Sequence, residues 1–323
     1  MDVRIFTQDD VRHLLKMPRA IELMRDAFAA LSTGEIDSPI RTVLTNEHGT
    51  VLYKPAWSAV QNVFCAKVVS VFPGNADKGL PVTPALIVVN DGETGMPVSL
   101  MEAGFLTSLR TGAATGLATD LLAKRDASTA ALFGTGGQAA HQLEAMLCVR
   151  DFERVYVFSR REENAIRFCE TMSGLSNNCK LLPAPNRDVL MECDTITTVT
   201  TSPTPVFDDQ EIADSVHINA IGALGPSRSE IPPATIQRAT VVVDQREACL
   251  KEAGELLPLM ADGRLPSDFA PAELGELVHN AEYRPDKPVS IFKSVGNAVQ
   301  DLVCAAEVLK LAEDTGRGQA VQF

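Results

Sequence analysis

Thr129-Ala130-Ala131-Leu132-Phe133-Gly134-Thr135-Gly136-Gly137-Gln138-Ala139 is the stretch that decides the fold. Its first five residues are small or apolar and read as a buried strand. They run directly into G-x-G-x-x-A, and His141-Gln142-Leu143-Glu144-Ala145-Met146-Leu147 reads as the helix that follows. Gly134 permits the tight turn, Gly136 lets the backbone approach a pyrophosphate, and Ala139 allows helix to pack closely on strand. Gly137 and Gln138 complete the loop, and the helix N-terminus faces the phosphates with its free N–H groups. A bare match is often only a glycine turn. Strand before and helix after make this one a dinucleotide loop.

Working outward, further strand candidates follow at residues 154–158, 195–199, 216–221, 240–243 and 289–292, with helical stretches between most of them. That alternation predicts an α/β fold with a Rossmann-type, doubly wound parallel sheet over residues 119–293. The region before it differs. Helices are expected after Thr7 and around Ile21 to Phe28, then strands at 41–44, 51–53, 64–71 and 85–90. Pro73-Gly74-Asn75 and Asp91-Gly92 mark turns between them. This is an α+β segment. A small-residue helix over 113–123 leads into the loop, a last helix covers 295–311, and the tail after Asp314 is short and polar.

Length and charge agree with this division. A chain of 323 residues suits two domains of roughly 150 residues each. Twenty-nine basic residues against 42 acidic ones give a net charge of -13, which argues against binding nucleic acid or an anionic membrane. Any anionic ligand must therefore meet a local cluster of basic residues. No basic segment followed by an apolar one opens the chain, and no apolar run reaches about 18 residues. Seven dispersed cysteines without CxxC pairing, and five scattered histidines without HExxH, point to a reducing compartment and no structural metal. A cytoplasmic location is expected.

The strand Val155-Tyr156-Val157-Phe158 ends at Ser159-Arg160-Arg161, where an acidic residue would bind the ribose 2′-hydroxyl of NAD. A small hydroxyl beside two guanidinium groups suits a 2′-phosphate instead. NADP(H) is therefore expected, with NAD(H) as the alternative.

Several segments, taken in order, resemble the ornithine cyclodeaminase/mu-crystallin family over almost the full length. They are Ser38-Pro39-Ile40-Arg41, the Lys67 strand, Pro73-Gly74-Asn75 with Gly79-Leu80-Pro81, and Ser108-Leu109-Arg110-Thr111-Gly112-Ala113-Ala114. The glycine loop, Ile218-Asn219-Ala220-Ile221-Gly222-Ala223 and Phe292-Lys293-Ser294-Val295-Gly296 continue the series. The resemblance implies an NAD(P)-binding domain joined to a substrate-binding and dimerisation domain, here residues 1–118 with 294–323, and hence a homodimer. It implies hydride transfer between a nicotinamide and the α-carbon of a small amino or imino acid.

By the same resemblance Arg41 and Arg110 are the carboxylate-binding arginines and Lys67 the active-site lysine. Lys67 lies between Phe64-Cys65-Ala66 and Val68-Val69, where burial and neighbouring arginines would lower its pKa and fit it for proton transfer. Arg110, Thr111, Thr200, Thr201, Ile221 and Ser294 are expected along the cofactor, with Arg110 and Thr111 at a helix start. One departure bears on the subclass. Cyclodeaminases carry an aspartate where this chain has Leu224, which cannot move protons. The resemblance therefore implies a ketimine reductase acting on pyrroline-2-carboxylate or piperideine-2-carboxylate, giving L-proline or L-pipecolate. An ornithine cyclodeaminase, an alanine-dehydrogenase-like enzyme and an NADP-dependent binding protein of mu-crystallin type are the alternatives.

Overall fold

In the computed structural model, which describes residues 2–175, 178–280 and 282–322, β1 (Asp2–Phe6) leads into α1 (Gln8–Leu14). Thr7 and Asp10 cap this helix reciprocally: Asp10 N donates to Thr7 Oγ1 (3.3 Å) and Thr7 N to Asp10 Oδ2 (3.0 Å). α2 (Met17–Thr33) starts with Pro18 in its first turn and stops at Gly34, whose φ of 78° only glycine adopts freely. Then come β2 (Ile36–Asp37), β3 (Thr42–Thr45), β4 (Thr50–Ser58), β5 (Val63–Val71), β6 (Ala85–Asp91) and β7 (Pro97–Glu102). α3 (Gly104–Leu122) follows.

The next stretch alternates strands and helices: β8 (Thr129–Phe133), α4 (Ala139–Val149), β9 (Arg154–Phe158), α5 (Glu162–Met172), β10 (Lys180–Pro183), β11 (Thr195–Thr198) and β12 (His217–Ala220). It continues through α6 (Pro233–Gln237), β13 (Ala239–Val243), α7 (Arg246–Glu252), α8 (Leu257–Ala261), β14 (Ala272–Glu273), α9 (Leu274–His279) and β15 (Val289–Lys293). α10 (Ala298–Thr315) and β16 (Gln319–Gln322) end the chain. Two units result, Met1–Arg110 with Asn297–Phe323, and Thr111–Gly296.

The first unit holds a sheet in the order β16-β1-β7-β6-β5-β4-β2, with β3 also paired to β4. β4, β5, β6 and β7 form an antiparallel meander, and α10 packs across the inner face of β4, β5 and β6. The second unit holds an all-parallel sheet in the order β10-β9-β8-β11-β12-β15-β13-β14. This is the Rossmann-type doubly wound sheet. Side chains of β8 alternate between its faces: Ala131 and Phe133 join one core, Ala130 and Leu132 the other.

Several features differ from the sequence reading, which also gave none of β1, β2, β10 and β14. The tail beyond Asp314 is not merely polar, because β16 pairs antiparallel with β1 through its backbone. β7, between β6 and β1, was not expected; Pro97 and Ser99 weaken its apolar pattern. α3 starts at Gly104 rather than near residue 113, so Arg110 and Thr111 lie inside a helix and not at its start. The true start is held by Glu102, whose carboxylate accepts from Gly104 N (2.6 Å) and Phe105 N (3.4 Å). Gly104, Thr107, Thr111 and Gly112 are weak helix formers, and burial of the helix outweighs their propensity.

α3 also explains why the sequence shows no break between the units. The division falls at Arg110/Thr111, inside one continuous helix, and the expected boundary at 118/119 lies in that same helix. Its C-terminal carbonyls are gathered by one buried arginine. Arg150 donates to the oxygens of Thr119 (3.2 Å), Asp120 (2.8 Å), Ala123 (3.1 Å) and Lys124 (2.9 Å), a cation where the helix dipole is negative.

Candidate active site

Within the first unit, the antiparallel register of β4 and β5 sets Lys54 directly opposite Lys67. Both point to the inner face and are buried, with 5% and 1% of their surface exposed. Lys67 Nζ donates to Asp301 Oδ1 at 2.7 Å and to Thr107 Oγ1 at 3.2 Å. Arg110 Nε donates to the same Asp301 oxygen at 3.0 Å, and its Nη1 to Gln300 Oε1 at 2.6 Å. One carboxylate therefore serves two buried cations. It stands in the first turn of α10, where the helix dipole favours negative charge. Its second oxygen, Oδ2, is buried without a hydrogen-bond partner.

The charges tune one another. Burial lowers the pKa of Lys67, Arg110 lowers it further, and Asp301 partly opposes both, leaving it at about 8. Burial would raise the Asp301 carboxyl, yet Arg110, Lys67 and Lys54 hold it below the usual range. Lys54 is pushed well below its ordinary value, first by burial and then by Lys67, Arg41 and Arg110. Arg41, half-buried ahead of β3, thus belongs to the same field. The three basic residues expected from sequence, Arg41, Lys67 and Arg110, come together in this unit. Lys54, Thr107, Gln300 and Asp301 were missed. A lysine and an aspartate in otherwise apolar periodic runs were the available signals.

In the second unit, parallel strands bring the remaining candidates to one edge. Gly134 follows β8, Ser159 follows β9, Thr200 and Thr201 follow β11, Ile221 follows β12 and Ser294 follows β15. All lie at or just beyond the carboxyl ends of their strands. The strand order reverses between β8 and β11, the place where open α/β sheets take ligands. Gly134 has φ 110°, and a Cβ there would lie 2.6 Å from Val199 O, so the turn tolerates only glycine. A Cβ on Gly136 or Gly137 would meet nothing within 4 Å, and the N-cap of α4, Gln138, makes no side-chain cap. An open glycine cradle at an uncapped helix start fits a pyrophosphate. The residues present thus fit the pyrophosphate of a dinucleotide.

Buried carboxylates hold this rim. Glu230 accepts from Thr198 Oγ1 (3.0 Å), Thr200 N (2.6 Å), Gly222 N (2.7 Å) and Ala223 N (3.1 Å), tying the ends of β11 and β12. Asp244 Oδ2 accepts from Ser294 Oγ (2.7 Å), Val295 N (3.0 Å) and Gly296 N (2.6 Å). The Ser294 hydroxyl is thus engaged within the protein. Lys293 Nζ donates to Ala223 O (2.8 Å) and pairs with Glu255 (2.9 Å). Ser159 Oγ lies 3.4 Å from Thr135 Oγ1, while Arg160 and Arg161 are exposed. Thr111 is buried inside α3, and Leu224 is 51% exposed in the loop after β12. Among the described residues no group of His, Cys, Asp and Glu could hold a metal ion.

A model of the ornithine cyclodeaminase/mu-crystallin family matches residues 1–316. The chain belongs to this family. It is 35% identical over 324 residues to a Δ1-pyrroline-2-carboxylate reductase of Bacillus cereus, covering 99% of each chain. Among solved structures, the Δ1-pyrroline-2-carboxylate reductase of Thermococcus litoralis, in complex with NADH and L-proline, is 33% identical with a TM-score of 0.93. The alignment covers 99% of this chain and 100% of that one. An archaeal alanine dehydrogenase dimer with bound NAD is 32% identical, again with a TM-score of 0.93 and all of both chains covered.

Asp301→Asn should destabilise the protein by about 3 kcal/mol in denaturant unfolding at pH 7, because two buried cations lose their counter-charge. The loss should shrink when Lys67 is already Met. An equal loss in both backgrounds would show that Lys67 and Asp301 are not energetically coupled.

Proposed function

We propose that this chain reduces the C=N bond of small cyclic imino acids, converting pyrroline-2-carboxylate or piperideine-2-carboxylate to L-proline or L-pipecolate. The observation that carries this reading is the buried Lys67–Asp301–Arg110 cluster in a chain of net charge -13. The full-length similarity to reductases of that substrate supports it. A bound nicotinamide dinucleotide supplies the hydride.

The chain's own residues handle the carboxylate and the proton. Arg41 and Arg110 hold the substrate carboxylate, and the bonds from Arg110 to Asp301 and Gln300 fix the plane of its guanidinium. Lys67, with a pKa near 8, keeps a proton at neutral pH that it can share with the imine nitrogen. A protonated imine accepts hydride far more readily than a neutral one. Asp301 Oδ2, buried without a hydrogen-bond partner, accepts from that N–H in this reading. Leu224 offers no proton-handling group, which disfavours deamination of ornithine. The likeness to alanine dehydrogenase favours one second reading, reduction of an imine formed from an open keto acid and ammonia.

At the adenosine end, Ser159 with Arg160 and Arg161 favours NADP(H). Gly134, Gly136, Gly137, Gln138 and Ala139 take the pyrophosphate in this reading, with Thr111, Thr200, Thr201, Ile221 and Ser294 along the rest of the cofactor. The chain acts as a homodimer through the outer face of β4, β5 and β6, where Tyr53, Phe64 and Leu86 are 42%, 46% and 49% exposed. The residue domains assigned from sequence, 1–118 with 294–323 and 119–293, carry substrate and cofactor respectively. No helix is long and apolar enough to cross a membrane among the described residues, and a cytoplasmic location remains part of the proposal.

Lys67→Met should lower turnover at least about 100-fold with little change in cofactor affinity. In the unaltered enzyme turnover should hold below pH 8 and fall above it as the Lys67 ammonium loses its proton; near-normal turnover of the variant would remove Lys67 from the chemistry. Assays with cyclic imines, with pyruvate plus ammonia and with ornithine separate the readings, and ammonia release from ornithine outpacing imine reduction would restore the cyclodeaminase. The Michaelis constant for NADPH should be below that for NADH, and the reverse order would reject the 2′-phosphate site. Light scattering should give twice the monomer mass, and a lower mass for Phe64→Glu; a monomeric unaltered chain would refute the dimer.

A further inference from the structure

Gln300 carries a side-chain amide whose orientation is fixed by its neighbours. It stands one residue before Asp301 in the first turn of α10 and is buried. Its Oε1 accepts from Arg110 Nη1 at 2.6 Å and from Asn297 N at 3.1 Å. Both partner groups are donors only, so turning the amide over would set its NH2 against two other N–H groups. Nε2 is therefore committed to donating. Yet it is buried with no hydrogen-bond partner among the described residues. Lys67 and Arg110, the cations paired with Asp301 on this turn, carry no acceptor that could meet it.

Helix capping alone does not explain an amide here. A glutamate would accept from the same two donors, more strongly, and would leave no N–H unmet. It would also cancel part of the positive field on Arg110. The amide keeps that field for a ligand and sets one donor beside it. One residue on, Asp301 Oδ2 is the complement, a buried acceptor with no donor. Consecutive residues thus leave one N–H and one oxygen unmet, and each costs stability until a partner arrives. An α-imino acid matches the pair, because its carboxylate sits on the carbon that carries the nitrogen. Such a molecule presents an acceptor oxygen and an N–H along one edge.

We propose that Gln300 is a substrate-binding residue that sets specificity, its Nε2 donating to one carboxylate oxygen while Arg110 holds the other. This rests on the imino-acid reductase reading and restricts its substrates to imines with the carboxylate on the nitrogen-bearing carbon. Asp301 Oδ2 then meets the N–H of the same molecule.

The test measures binding of pyrrole-2-carboxylate and furan-2-carboxylate to the full chain, with reduced nicotinamide dinucleotide present. Both are planar aromatic carboxylates that do not accept hydride, and only the first has a ring N–H. The unaltered chain should bind both and prefer the pyrrole. Gln300→Met, which is neutral, should weaken both by about tenfold, and Gln300→Glu by roughly 30-fold or more. Affinity for the reduced cofactor and the preference for pyrrole over furan should persist in both variants. Loss of that preference in step with affinity would mark general disordering of the turn and overturns the proposal. Unchanged affinities in either folded variant overturn it too. So does a crystal structure of the unaltered chain with pyrrole-2-carboxylate in which no carboxylate oxygen lies within about 3.5 Å of Nε2, whether or not the variants fold. Failure of the unaltered chain to bind either carboxylate has the same consequence. Binding without reduction of any cyclic imino acid would instead refute the reductase reading and leave Gln300 in a carboxylate site.

Discussion

The carboxylate of Asp301 is the constraint on which the first unit depends. Its Oδ1 accepts from Lys67 at 2.7 Å and from Arg110 at 3.0 Å, and all three side chains are buried. Each buried charge by itself would cost several kcal/mol, and a shared counter-ion makes the pair of cations tolerable. The same contact ties α10 to β5 and to α3, elements far apart in the chain. Burial and Arg110 lower the pKa of Lys67, and the carboxylate opposes both, leaving it at about 8.

The second unit solves a different problem with similar means. Parallel strands end in loops whose backbone N–H groups need partners, and a ligand-binding rim cannot cover them with another strand. Glu230 and Asp244 each meet three of these N–H groups while buried. Burial raises the Glu230 carboxyl, while its hydrogen bonds and Lys293 act in the opposite direction. Held in this way, the loops leave glycine backbone open at one edge of the sheet.

Net charge and local charge thus do separate jobs. A chain with an acidic excess of 13 charges disfavours polyanions, while basic side chains drawn inward around one aspartate leave a local positive field. The site is positive because its cations are buried and share a counter-ion, whatever the sum over the chain.

By itself, the sequence determined the Rossmann-type sheet, the glycine loop and the strand ends that follow it, since these rest on local periodicity and on glycine's freedom at φ 110°. Arg41, Lys67 and Arg110 were legible through ordered motifs spread along the chain. Only the tertiary structure decided that Arg110 lies within a helix, because burial overrides the weak propensity of Gly104, Thr107 and Thr111. It alone brought Asp301 to Lys67 across 234 positions. The ion pair is fixed by packing between elements distant in sequence, which no local pattern encodes, while the register of β4 on β5, which sets Lys54 opposite Lys67, follows from the turn that joins them and from the face they bury.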